Sequence, residues 1–358
     1  MRPERLTAAT PTGLNDDTEG QMTEIEGIHQ SRGDARAALQ EALSEIKRVI
    51  VGQDAMLERL LVSLLAGGHV LLEGVPGLAK TLTLKTLAGV LGGSYGRIQF
   101  TPDLVPADLV GTRVWRPDTG KFDTELGPVF HNFVLADEIN RAPAKVQSAL
   151  LEVMQEQQVT IGGTTYPVPQ PFIVMATQNP IESEGTYPLP EAQVDRFLMK
   201  IVVGYPTPGE EAAVVGRSLQ SPVVVRECLT LADLEAHSRA TETVTAGRAI
   251  IGYAVSLADA TRHPGNYGLA ELDPLIEFGS SPRGPIGLVQ AARALALLRG
   301  RAYIEVQDIR DLAPDVLRHR LVLSYDALSE GVSVESLLDQ ILAAVAEPDA
   351  ERLIRSAG

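Results

Sequence analysis

The sequence predicts an α/β domain with a parallel sheet flanked by helices, followed by a smaller domain that is all helix. Three observations carry this prediction. Up to about Val203, short apolar runs ending in polar residues alternate with helix-length segments, the pattern of a parallel sheet with crossover helices. One of those runs leads, in LLEGVPGLAKT (71–81), through a glycine-rich turn into the start of a helix. Beyond Tyr205-Pro206-Thr207-Pro208-Gly209 the strand-like runs stop and helical apolar spacing takes over.

Taken in order, residues 1–35 are rich in Thr, Gly, Pro and acidic groups with little periodicity, and read as a mobile tail. A helix is expected from Ala35 to Val49 and a second from Ala55 to Leu65, separated by the turn Val51-Gly52-Gln53-Asp54. Val70–Leu72 is a buried strand and Thr81–Leu91 the helix after the glycine turn. Further strands are expected at Arg97–Phe100, Phe133–Ala136, Phe172–Ala176 and Leu198–Val203. Val146, Leu150, Val153 and Met154 fall on one helical face and read as core. Gly162-Gly163 within Val159–Val168 signals a hairpin. After the proline-rich boundary, helices are expected at Glu210–Leu219, Arg248–Arg262, Pro285–Leu298, Val306–Arg318 and Val334–Ala346. The division is therefore a tail to residue 35, an α/β core over 36–208 and a helical domain over 209–358.

The glycine turn is the most informative stretch. Gly74 and Lys80-Thr81 stand in the register of a phosphate-binding loop, G-x-x-x-x-G-K-[ST], with Ala79 where the second glycine is usual. Such a loop, formed here by Gly74, Val75, Pro76, Gly77, Leu78 and Ala79, meets a triphosphate with backbone N–H donors at a helix N-terminus. Lys80 then reaches the β- and γ-phosphates, and the Thr81 hydroxyl suits Mg2+, which prefers oxygen ligands. An ordinary strand–turn–helix connection is the plain alternative.

Two strand ends add chemistry. FVLADE (133–138) closes an apolar run with two carboxylates. At the carboxyl end of a parallel strand they point into a ligand crevice, where Asp137 would help hold Mg2+ and Glu138 would polarise the attacking water. FIVMATQNP (172–180) ends in Asn179, which is placed either to bond the γ-phosphate or simply to open a turn.

Composition bounds the rest. The chain has 358 residues, 44% of them hydrophobic and 22% charged, with a net charge of −15, which disfavours nucleic acid as a partner. Cys228 is the sole cysteine and the six histidines make no metal pattern. The N-terminus shows no signal peptide, and Leu60–Leu72 is too short to span a bilayer; a cytoplasmic protein is the expectation.

Six stretches in fixed order carry a more specific resemblance: EGVPGLAKT (73–81), IQFTPDLVPADLVG (98–111), ADEINRAPAKVQSALLEVMQE (136–156), VMATQNP (174–180), LPEAQVDRFLMK (189–200) and GSSPRG (279–284). Over roughly 36–345 the chain resembles the MoxR family of AAA+ ATPases, in which alanine before the lysine is usual. The resemblance implies an α/β P-loop core with a helical lid, a Mg2+-dependent ATPase, a ring of subunits, usually six, and chaperone-like remodelling or maturation of a partner, often one with a von Willebrand factor A domain. It also implies residue roles. Arg196 matches an arginine finger that reaches a neighbour's γ-phosphate. Arg283 matches a second sensor, expected to touch the γ-phosphate of its own subunit. Val51 and Gly52 match the turn lining the adenine pocket. Val159–Val168 matches an insertion in the second helix, and Val105–Lys121, with Trp115, a loop near the central pore or an interface. A chelatase-type or nucleic-acid-directed motor and a non-hydrolysing nucleotide switch remain open alternatives.

Overall fold

A computed structural model describes residues 33–75, 77–179 and 185–348. The expected tail lies outside these residues up to position 32, and Pro76 of the loop is also outside them.

A helix over 33–47, α1, and α2 (Asp54–Leu65) lead into β1 (Val70–Glu73) and α3 (Lys80–Val90). Then follow β2 (Tyr95–Gln99), α4 (Pro106–Val110), the hairpin β3 (Gly111–Arg116) and β4 (Lys121–Leu126), and β5 (Phe133–Asp137). Next come α5 (Ala144–Glu156), the hairpin β6 (Gln158–Ile161) and β7 (Thr164–Pro167), β8 (Ile173–Gln178), α6 (Glu191–Val194) and β9 (Met199–Val202). The remainder is mostly helix: α7 (Pro208–Ser218), α8 (Leu231–Glu242), α9 (Arg248–Arg262), β10 (Ile276–Phe278), α10 (Arg283–Leu298), α11 (Val306–Leu317), β11 (Val322–Leu323), α12 (Tyr325–Ser329) and α13 (Val334–Ala344).

The five-stranded sheet has the order β2-β5-β8-β1-β9, with every pairing parallel. Its central strands are apolar without a break because both faces are covered. Alternate residues go to opposite sides. Val70, Leu72, Leu135, Met175 and Ile201 join one apolar cluster with α1, α2, α3 and the lid helices. Leu71, Val134, Ala136, Val174 and Ala176 join the other with α5. The lid thus shares its core with one face of the sheet. Contact is close at Gly287 of α10, where a Cβ would lie 3.1 Å from Leu198 at the head of β9.

The linker into the helical part carries its own helix-start signal. Thr207 caps α7, accepting from the Glu210 N–H while Glu210 accepts the Thr207 N–H at 2.8 Å, with Pro208 in the first turn. The lid is almost all helix; β10 and β11 add one short antiparallel pair.

Several elements have no counterpart in the sequence reading, among them the short α4, α6 and α12 and the pair β10–β11. The hairpin β3–β4 is mostly exposed on both faces, so it lacks the alternation that marks a half-buried strand. Helix α8 buries only Leu234 and Thr241, leaving no apolar stripe to detect. The expected hairpin at Val159–Val168 stands where the sequence sets it, between the acidic strand and the Phe172 strand. The hairpin β6–β7 follows α5, after the acidic strand, whereas the crossover between β2 and β5 carries the hairpin β3–β4.

Candidate functional site

The carboxyl ends of β1, β5 and β8 meet at a cavity of about 380 Å3. Gly74, Gly77, Leu78, Ala79, Lys80, Thr81, Asp137, Glu138 and Asn179 all line it, so the loop and both polar strand ends converge. Gly74 is required by packing: a Cβ there would lie 2.6 Å from the Val203 carbonyl on the edge strand's exit. Ala79 has φ 56 and ψ 17 at the head of α3. That is the left-handed region, which explains why glycine is the usual residue there. Val75 packs against the core cluster.

Lys80 curls back over the loop, and its Nζ donates to the Gly74 carbonyl at 2.5 Å. Burial holds its pKa below the usual lysine value, while the nearby Asp137, Glu73 and Glu138 carboxylates pull it back up. An ammonium in a partly desolvated cleft is poised to gain from a bound polyanion.

Asp137 and Glu138 are organised by a residue that sequence reading passed over. The Thr177 hydroxyl donates to Asp137 Oδ1 at 2.7 Å, and its oxygen accepts the Glu138 N–H at 2.9 Å. Glu138 itself has φ 56, a left-handed turn that swings it away from the strand. Arg97 Nη2 donates to Asp137 Oδ2 at 2.7 Å and to Gln99 Oε1 at 2.6 Å. Gln99 Nε2 donates to Glu138 Oε2 at 3.2 Å, and Arg141 Nε lies 2.7 Å from the same oxygen. Thr177 sat inside the quoted VMATQNP stretch; its place beside two carboxylates on the next strand was the missing signal.

The oxygen donors suit a hard divalent cation. Thr81 and Asp137 line one cavity, and among the described residues no cluster of three His, Cys, Asp or Glu side chains competes as a metal site. Two protein oxygens completed by phosphate and water match the needs of Mg2+.

Arg196 and Arg283 lie elsewhere. Leu198 N–H donates to the His69 carbonyl and Met199 pairs with Val70, so Asp195-Arg196 enters at the amino ends of the strands. The loop sits at the carboxyl ends, about 13 Å of strand away. There, Arg196, Arg283, Asp195, Arg320, Gln290 and Ile286 help to line a second cavity of about 290 Å3. Arg283 is half exposed and 3.6 Å from Asp195 Oδ2. Arg196 Nη1 donates to the Leu151 carbonyl at 2.9 Å. Asp195 also accepts from Ser281 Oγ at 2.9 Å and Arg320 Nε at 2.7 Å. Buried Arg320 donates further to the Leu198, Asp195 and Phe197 carbonyls, pinning the lid to the core beneath exposed Arg283 and half-buried Arg196. The expectation that Arg283 reaches its own subunit's γ-phosphate is thereby corrected: lid packing against the base of β9 turns it to the opposite end of the sheet.

Val51 and Gly52 do not line the loop cavity. Gly52 has φ +64 and sits where a Cβ would meet Glu210 Oε1 at 2.5 Å, and Gln53 Nε2 donates to the Gly204 carbonyl at 3.2 Å. The turn packs on the core–lid linker. His69, just ahead of β1, accepts the Val174 N–H on Nδ1 at 3.0 Å and donates from Nε2 to the Met154 carbonyl at 3.1 Å. Burial lowers its pKa to about 4 and keeps it neutral.

Comparisons with known proteins identify the chain's relatives. A family model described as the ATPase family associated with various cellular activities (AAA) matches residues 69–199, and one described as the AAA lid domain matches 270–341. The chain is 56% identical over 310 residues to the Mycobacterium tuberculosis chaperone MoxR1, covering 87% of this chain and 82% of that protein. It is 35% identical to the MoxR protein of Paracoccus denitrificans, covering 88% and 98%. A crystal structure of a chain assigned as an ATPase from Cytophaga hutchinsonii superposes with a TM-score of 0.87 at 45% identity, covering 91% and 99%. Among the described residues no helix is long and apolar enough to cross a membrane.

Proposed function

The chain belongs to the MoxR family of AAA+ ATPases, and from that premise we propose that its ATP site is completed between neighbouring subunits and drives remodelling of a partner protein. One observation carries the reading. Arg196 and Arg283 share a cavity at the end of the sheet opposite the phosphate loop, so neither serves the loop of its own subunit. In a closed ring, one subunit's arginine face would meet the next subunit's loop. A ring of six is the form proposed.

In each site the loop from Gly74 to Ala79 would hold the triphosphate through backbone N–H groups and the start of α3. Lys80 would sit against the β- and γ-phosphates. Thr81 and Asp137 would hold Mg2+, which supplies charge neutralisation to the phosphates when bound. Glu138 would orient the attacking water and take its proton, while Asn179 would bond the γ-phosphate or that water. Arg196 and Arg283 of the adjacent subunit would stabilise the charge that spreads over the transferring phosphoryl group.

The work done is proposed to be chaperone-like maturation of a client in the cytoplasm, including clients with a von Willebrand factor A domain. The name of the mycobacterial relative supports a chaperone role. The deciding experiment is steady-state ATP hydrolysis per subunit against protein concentration with Mg2+. A specific rate that rises and saturates with assembly supports the shared site. A rate that stays constant down to concentrations where sedimentation shows monomers rules it out.

A further inference from the structure

The phosphate loop carries a carboxylate of its own. Glu73 ends β1 directly before Gly74, and left uncompensated it would oppose a bound triphosphate by like charge. The fold supplies a partner. Lys200 of β9 places Nζ 2.6 Å from Glu73 Oε2, both side chains being mostly buried, at 23% and 26% exposure. The strand register sets Lys200 beside Leu71 and Val202 beside Glu73. Leu71 and Glu73 lie on the same face, so the lysine stem runs along the sheet toward the loop.

The lid fixes where that lysine stands. Its carbonyl accepts Arg318 Nη1 at 2.6 Å. Arg318 in turn pairs with Asp315 at 2.6 Å and with Glu335 of α13 at 3.3 Å. Glu73 is also one of three carboxylates, with Asp137 and Glu138, whose field acts on Lys80. Neutralising Glu73 therefore serves two ends: it offsets a repulsive charge one residue ahead of Gly74 and leaves Lys80 freer to engage phosphate.

We infer that Lys200 is a positioning residue for nucleotide, acting through Glu73 to set the loop's affinity for triphosphate. The inference rests on the reading of 74–81 as the ATP site. The test uses the full chain and titrations of fluorescent ATP and ADP analogues at two salt concentrations. Lys200→Met should weaken ATP binding by roughly 10- to 30-fold and ADP binding less, because the unpaired Glu73 repels the higher charge more. Adding Glu73→Gln in the same chain should restore ATP affinity to within about threefold of wild type, since the offending charge is then gone. Lys200→Arg should stay near wild type.

Unchanged affinity in Lys200→Met, or a loss that Glu73→Gln does not rescue, would overturn the inference. If Lys200→Met fails to fold, Glu73→Gln alone decides: ATP binding as tight as wild type or tighter supports the inference, and a tenfold loss overturns it. A wild-type chain that binds no ATP would instead remove the ATP-site reading itself.

Discussion

The Arg283 guanidinium lies 3.6 Å from the Asp195 carboxylate, one residue ahead of Arg196. A lid residue and a core residue are thereby joined into one basic face, held from below by Arg320. Sequence separation hid this pairing.

Loss of Arg196 should therefore be separable from loss of the loop. Arg196→Ala is expected to cut turnover by roughly 10³-fold while leaving ATP affinity within a few-fold of wild type. Mixing it with Lys80→Ala subunits should restore measurable activity, because some interfaces then combine an intact loop with an intact arginine. Subunit-mixing ATPase assays check this; activity no higher than that of either variant alone would contradict a shared site.

Thr177 ties the two carboxylates together through one hydroxyl. Thr177→Val keeps the shape and removes both bonds. Turnover should fall about 10- to 100-fold, the usual scale for a group that orients catalytic or metal-binding carboxylates. Nucleotide affinity without Mg2+ should be nearly unchanged. Glu138→Gln should lower turnover further, by at least about 100-fold, and accumulate bound ATP.

Ala79 sits in a backbone region that favours glycine. Ala79→Gly, which restores the usual loop motif, should raise stability by up to about 1 kcal/mol through relief of that strain, offset in part by greater freedom of the unfolded chain. ATPase activity should stay within about twofold. A chemical denaturation midpoint that falls would show that the alanine methyl contributes packing that outweighs the strain.

Stability should fall in mild acid for a local reason. His69 is neutral in the fold, with a pKa of about 4 because burial disfavours its charged form, and His319 is pushed well below its usual value by the same cause. The unfolded chain binds protons at these positions near pH 6.5, so between about 6.5 and 4 it holds more protons than the native state. Stability then drops as pH falls. His69 alone should account for about 2 kcal/mol between pH 7.5 and 5.0. Urea midpoints across that range check it, and His69→Gln should flatten the slope.

By itself the sequence determined the local chemistry. Apolar runs at Val70, Phe133 and Phe172 had to be buried strands, and polar residues at their ends had to gather at one edge because parallel strands share a direction. Gly74, Gly77 and Lys80-Thr81 marked the loop because close packing, a left-handed turn and phosphate chemistry each demand those residue types. Only the tertiary structure decided what depends on packing between distant segments. The lid's docking on β9 turned Arg283 toward Arg196, and the sheet register set Lys200 against Glu73 and Thr177 against Asp137. These contacts join residues whose spacing in the chain has no period, so nothing in local pattern could announce them.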